Sequence, residues 1–436
     1  MITQQNRLSR RAFLRVSGMA AMGLAMAACA APQGSTGGDA AGGGEEGTEI
    51  VYLAWSGPEA LKVMETINDG FEEANPGLSV KVEVPPDNYW DKLQTMVAGG
   101  VAPDMFRMDY VYMAVWGAKG IPIALDDYVD ADIDKSTLAA GYEQVFKAYS
   151  YEGKQLGLPQ DVNTQVLFYN QQMFDAAGID YPSESWKWDA SGGDFLEAAL
   201  ALTTDEQWGY SQDWYWEPIA PWIWENGGDW YDSAITKSTM SDPKTMEGIQ
   251  FLADLLLTHQ VSPTPAQMAG RDAPTLFTTG KIAMYQSGRW EVPTLRAVEG
   301  LEWDCAVLPE GVGGRSTTLG GTASCISNQS KHPEETWKYA HWYLTEMAQG
   351  LIGELAYSTP LLKSVLESKE FMESVPPQNN GVWLQSMEWI RPMPVDTHFD
   401  QVDTIRGTEF TEIWTGRKSV ADACQAIDDQ VNALMV

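Results

Sequence analysis

Basic residues are scarce in this chain: 28 lysines and arginines stand against 60 aspartates and glutamates over 436 residues, a formal net charge of −32. A surface this negative repels phosphate backbones and anionic headgroups, which argues against a nucleic-acid partner and keeps the protein soluble. Histidine is scarcer still, and His259, His332, His341 and His398 show no ligand-like spacing. Cysteine is rare too, with no Cys-x-x-Cys pair; neither a His-Glu-x-x-His motif nor a phosphate-cradling Gly-Lys-Ser/Thr loop occurs. "GVGGRSTTLGG" lacks the lysine and helix context of such a loop and reads as turns. No motif for nucleophilic or metal catalysis stands out, so neither an enzyme nor a cofactor is expected. "DDYVDADID" (Asp126 to Asp134) has the oxygen donors of a calcium loop but not its spacing, and reads as solvated surface.

What is present begins with an address. "LSRRAFLRVSGMAAMGLAMAAC" has a basic start, an apolar stretch from Val16 to Ala28, and small residues before Cys29. At about 1.5 Å per residue that stretch is too short for a ~30 Å hydrocarbon core, so residues 1–28 read as an export signal. "SRRAFLR" resembles the twin-arginine export motif, and "AMAAC" resembles a lipoprotein cleavage box with Met26 in place of the more usual Leu. Cys29 would then carry the lipid, the chain's one attachment to a membrane. Residues 29–48, rich in glycine, form a tether with a reach of roughly 25 Å.

Beyond the tether, elements alternate. "EIVYLAW" reads as a buried strand; Leu61, Met64, Ile67 and Phe71 recur at helical spacing; "LSVKVEV" alternates as a strand. A second helix near Tyr89 to Val97 and a strand in "APDMFRM" complete a pattern that predicts a parallel α/β sheet covered by helices. Ligands of such sheets bind beyond the carboxyl ends of the strands. Those ends supply Trp55, Asp87, Tyr89, Asp109 and Tyr110, residues that also serve as ordinary caps and turns. Further on, Trp337, Ala340, Leu344, Met347 and Leu351 make one helical stripe, and Val420, Cys424, Ile427, Val431 and Leu434 another. Cys305 falls in phase with Trp303 and Val307, and Cys305–Cys325 is the one disulfide pairing worth considering.

"DWYWEPIAPWIWENGGDW", residues 213–230, holds five tryptophans interrupted by Pro218, Pro221 and Gly227-Gly228. Burial explains any one ring, but as a group the rings and their polar neighbours suit a pocket wall. An indole face fits the C–H face of a sugar ring, while Asp87, Asp109, Asp161, Asn163 and Asn226 can hydrogen-bond its hydroxyl rim.

Four segments then carry a family resemblance: "YWDKLQTMVAGGVAPDMFRMD", "LPQDVNTQVLFYNQQMFDAAGI", "FTTGKIAMYQSGRW" and "WDCAVLPEG…LGGTASCISNQSKHPEETWKYAHWYL". In order and spacing they resemble the extracellular solute-binding proteins of ABC importers, in the sugar-binding group of maltodextrin-binding proteins. The resemblance implies a two-lobed periplasmic-binding-protein-like α/β fold, with a hinge formed by several chain crossings. Lobe one would be 49–160 plus 308–358, and lobe two 161–307 plus 359–436. It implies ligand contacts from Trp55, Trp214, Trp216 and Trp290, with Arg391 near the cleft. It also implies a carbohydrate ligand delivered to a membrane permease by a monomer. Two rivals remain at this stage: a secreted glycoside hydrolase, which needs a pair of carboxyl groups across the bond, and a receptor for a cationic solute such as a polyamine, which aromatics and aspartates can cage.

Overall fold

The computed structural model describes residues 47–86, 88–139, 142–356 and 358–435; the lipid site expected at Cys29 and the ligand contact expected at Asp87 lie outside them. Strand β1 (Thr48–Leu53) leads into helix α1 (Pro58–Ala74), which has proline in its first turn and buries Met64, Ile67 and Phe71. Proline is tolerated there because the N–H it lacks would have no partner in the helix. Strand β2 (Leu78–Glu83), helix α2 (Tyr89–Ala98), strand β3 (Met105–Met108) and a short β4 (Leu158–Pro159) follow. The chain then builds β5 (Val166–Asn170), α3 (Gly193–Leu202), β6 (Trp208–Gln212), α4 (Trp216–Glu225), α5 (Pro243–Leu257), β7 (Ile282–Ser287) and β8 (Trp303–Ala306). After β9 (Thr317–Thr318) come β10 (Ala323–Ile326), α6 (Pro333–Trp342), α7 (Glu346–Glu354), β11 (Ile390–Arg391), α8 (Phe399–Trp414) and α9 (Val420–Leu434).

These strands form two separate sheets, each the centre of an α/β lobe. The first has the order β2-β1-β3-β10-β4 and the second β8-β5-β7-β6. In the first, β1 pairs in parallel with both β2 and β3, whereas β10 runs antiparallel to β3 and β4. In the second, only β6 and β7 pair in parallel; β5 runs antiparallel to both its neighbours. The chain passes between the sheets near residues 160–165, 307–322 and 355–362, and these passages are bonded to one another. Asn163 and Gly320 exchange backbone hydrogen bonds (3.0 and 2.8 Å), as do Val162 and Thr359 (3.2 and 3.3 Å). β9 pairs with β11 beside them.

Two sequence expectations change. The stripe from Trp337 to Leu351 is two helices, because Thr345 caps α7 with its side chain and resets the phase; Met347 is consequently exposed. The tryptophan run contains a helix, α4, buried along its whole length despite Pro218 and Pro221. Trp222 packs against Trp188, Phe195 and Phe251, and donates from Nε1 to Gln286 (2.8 Å); Trp224 and Trp230 are also in the core. Cys305 and Cys325 are free, buried thiols on different sheets, so no disulfide joins them. Cys424 is buried on α9 with Val420, Ile427 and Val431, in the phase its spacing predicts.

Candidate functional site

A cavity of about 690 Å³ opens between the lobes, within the range of small-molecule sites. The first lobe contributes the segments just beyond β1 and β3 and the start of α2. Asn88 caps α2 by accepting the backbone N–H of Trp90 (3.1 Å), which sets Tyr89 and Trp90 in the first turn beside the cleft. Trp55 stands edge-on to Tyr89 at 4.8 Å, and Trp90 lies against Tyr112 at 4.0 Å. The Tyr89 hydroxyl donates to the Arg107 carbonyl (2.6 Å), which fixes its ring. Arg107 itself is buried, donates to the Trp55 carbonyl (2.7 Å) and to the Tyr52 hydroxyl (3.2 Å), and holds its guanidinium 5.6 Å from the Trp55 ring.

The second lobe answers with the starts of two segments that follow the parallel pair β6 and β7. Tyr215, Trp216 and Glu217 open α4, and Trp290 and Glu291 lie in the turn after β7. The Trp290 ring lies against Gly288, where a Cβ would come within 2.0 Å of it. Arg289, between them, is fully buried and donates to Asn380 Oδ1 (2.9 Å), the Ser358 carbonyl (3.0 Å) and the Gly353 carbonyl (3.2 Å). The turn that presents Trp290 is therefore anchored to the passage between the lobes. That passage supplies the floor: Asp161 and Asn163 on one segment, Gly320, Gly321 and Thr322 on the other.

The cleft is acidic inside. Burial pushes Asp109 up to about 7, against the pull of the Val111 backbone N–H that its carboxylate accepts (3.2 Å). Burial, then the nearby charge of Asp109, pushes Glu217 up to about 8. Glu291 rises to about 7 by burial and by the neighbouring Asp213. Asp161 is raised by burial too, but Arg107 and the Thr322 N–H (2.7 Å) oppose the rise. Such an array of ring faces with buried oxygen acceptors can grip a flat, polyhydroxylated solute from two sides.

Of the residues singled out from the sequence, the cavity brings together Trp55, Tyr89, Asp109, Asp161, Asn163, Trp216 and Trp290. Four others lie elsewhere. Trp214 packs on Trp414 at 5.1 Å, and Asn226 ends α4 with its amide given to Lys244 and Glu247. Arg391 pairs with the Asp229 carboxylate and lies over Trp224, so its charge is already matched. Tyr110 follows Asp109 but turns away, and its hydroxyl accepts the Met393 N–H (2.7 Å). Sequence reasoning passed over Trp90, Arg107, Tyr112, Tyr215, Glu217 and Glu291. Trp90 was readable as the second residue of a capped helix; Glu217 was hidden because a lone acid inside an aromatic run carries no signal of its own.

A family model described as bacterial extracellular solute-binding protein matches residues 54–350. The chain is 26% identical over 305 residues to a putative binding protein of Brucella abortus, covering 67% of this chain and 69% of that one. It is 24% identical over 427 residues to the galactooligosaccharide-binding protein of Bacillus subtilis, covering 94% and 93%. An ABC substrate-binding protein of Listeria monocytogenes, solved in complex with cycloalternan, matches with a TM-score of 0.83 and 27% identity, over 89% of this chain and 99% of that one. Maltose-bound MalE3 of T. maritima matches with a TM-score of 0.78 and 20% identity, over 89% and 100%. With its two sheets, its bonded crossings and an aromatic cleft between them, the chain has the two-lobed periplasmic-binding-protein fold and belongs to the bacterial extracellular solute-binding proteins.

Proposed function

We propose that this protein captures a carbohydrate in the inter-lobe cleft and delivers it unaltered to the permease of an ABC transporter. The observation that carries the reading is the placement of Trp55 and Trp90 from one lobe and of Trp216 and Trp290 from the other on a single cavity with a carboxylate and amide rim. A sugar ring laid on one indole exposes its second face and hydroxyl edge to the opposite lobe. Only the closed form makes both sets of contacts, so binding draws the lobes together. The lobes are taken as 49–160 plus 308–358 and 161–307 plus 359–436, moving about the bonded crossings. Lipid on Cys29 would hold the monomer at the outer face of the membrane and raise its effective concentration near the permease. The names of similar proteins, among them galactooligosaccharide- and arabinooligosaccharide-binding proteins, support a saccharide.

Thermal-shift screening of the mature chain against malto-, galacto- and arabino-oligosaccharides tests this, because a ligand of the native state raises the melting temperature by linkage. A saccharide that raises it, shrinks the radius of gyration and yields no new reducing ends is the expected result. Stabilisation by other solutes alone would overturn the carbohydrate reading. Turnover of the sugar that vanishes on carboxylate substitution would overturn capture in favour of hydrolysis.

A further inference from the structure

The charges lining the cleft do not balance. Among the described residues, five acidic side chains, Asp109, Asp161, Glu217, Asp272 and Glu291, share the cavity with one basic side chain, Arg107. Two of the five have local partners. Asp161 has Arg107 nearby and accepts from Thr322, and the exposed Asp272 accepts the Thr275 N–H (2.9 Å) at a helix start. The others have neutral partners and no cation among the described residues: Asp109 accepts the Val111 N–H, Glu217 accepts the Tyr215 hydroxyl (3.1 Å) and is supported by the Gln165 side chain, and Glu291 accepts the Tyr285 hydroxyl (3.3 Å) and is supported by the Trp290 side chain. The remaining charged groups that act on them are also acidic: Asp403 on Asp109, and Asp213 and Asp272 on Glu291.

Asp109 and Glu217 come from opposite lobes, and the charge of Asp109 bears on Glu217. Closing the lobes on a neutral solute would desolvate two like charges together, which is costly unless protons or a cation intervene. A second observation is independent of the acids. Asn163 is 5% exposed and lines the same cavity; its Nδ2 is given to Ser358 Oγ, while its Oδ1 is buried with no donor among the described residues. The two features meet at Gly320, where an added Cβ would lie 2.7 Å from Glu217 Oε1 and 3.3 Å from Asn163 Cβ. An acceptor lacking a donor, beside carboxylates lacking a cation, asks for a group that is both donor and cation.

We propose that the saccharide taken by this cleft carries a protonated amine, seated among Asp109 of the first lobe, Glu217 of the second and Asn163 Oδ1 on the crossing between them. The inference rests on the carbohydrate reading and adds the charge class of the ligand. An ammonium offers three N–H donors and one positive charge, so it can satisfy three acceptors from three parts of the fold. The neighbouring faces of Trp216 and Tyr215 favour a cation as well. Charge-assisted hydrogen bonds are about twice as strong as neutral ones, so the amine would dominate selectivity.

The test is calorimetric titration of the mature chain near neutral pH with matched probes. Glucosamine oligosaccharides and an aminoglycoside supply the amine; the N-acetylated glucosamine oligosaccharides supply the same skeleton without charge; spermidine supplies amines without a sugar. The expected result is that an amino-saccharide binds at least about tenfold more tightly than its N-acetylated counterpart. That ratio should collapse towards one in the D109N/E217Q double variant, with folding checked by circular dichroism. N-acetylated or neutral sugars binding as tightly as the amine would overturn this inference and leave the carbohydrate reading intact. Binding of spermidine with no saccharide bound would overturn both.

Discussion

At Glu217 a carboxyl group is held 8% exposed, with the Tyr215 hydroxyl and the Gln165 side chain beside it and another acid, Asp109, for a neighbour. Its folded-state value near 8 lies above the ordinary 4.5, so the folded chain holds this proton more tightly than the unfolded chain. The stabilisation is full below about pH 4.5 and is lost as pH rises through about 8. Asp109 has the same sign over a narrower window, from 3.8 to about 7. The melting temperature of the ligand-free protein should therefore carry a falling contribution from Glu217 across that range, and E217Q should flatten the slope. A slope as steep in E217Q as in the parent would show that Glu217 does not hold its proton more tightly in the folded chain. Gly288 gives a second test at this scale. Its φ of −103° suits any residue, so in G288A it is the Trp290 ring that must move. Saccharide affinity should fall about tenfold, in step with loss of one stacking face, and an unchanged titration would place Trp290 outside the contact.

Among the elements, α4 explains why the tryptophan run misled. It is a helix buried along its whole length, and its two prolines read as interruptions. Pro218 falls in its first turn, where the absent N–H costs little, and Pro221 is tolerated within a helix enclosed by α5 and β9. The run is chiefly the core of the second lobe, and only its leading edge, Tyr215 to Glu217, reaches the cleft. Trp222→Ala should cost about 3–5 kcal/mol in denaturant unfolding, since it opens a cavity among Trp188, Phe195 and Phe251 and strips Gln286 of a donor. A cost under about 1 kcal/mol would mean the ring is not core. Elements with one wet face fared better: α1, β2 and α9 stand where their spacing predicts, because half-burial writes a period into the sequence.

Over the whole molecule, the crossings near 160–165, 307–322 and 355–362 are both hinge and floor. Their mutual backbone bonds keep Asp161 and Asn163 in place, while helices and sheets on either side carry the rings. Cys305 and Cys325 sit in different sheets, and a bridge between them would tie together the lobes that the proposed closure moves. Thiol titration of a chain lacking Cys29, under denaturing conditions without reductant, should yield three free thiols, from Cys305, Cys325 and Cys424. One thiol would mean that a disulfide forms and that the sheets do not part.

By itself the sequence determined the α/β alternation, the strand ends that meet the cleft at Trp55, Tyr89 and Asp109, and the family, because these follow from local periodicity and from ordered segments. Tertiary structure alone decided which of many aromatics and acids face the cavity. Trp214, Asn226 and Arg391 had suitable chemistry but found partners elsewhere, in Trp414, Lys244 with Glu247, and Asp229. Glu217, Glu291 and Trp90 reached the cleft because they follow or open elements whose ends converge there. Which partner a side chain finds, and which face meets the cleft, depends on neighbours far apart in the chain, and spacing records only that a face is buried.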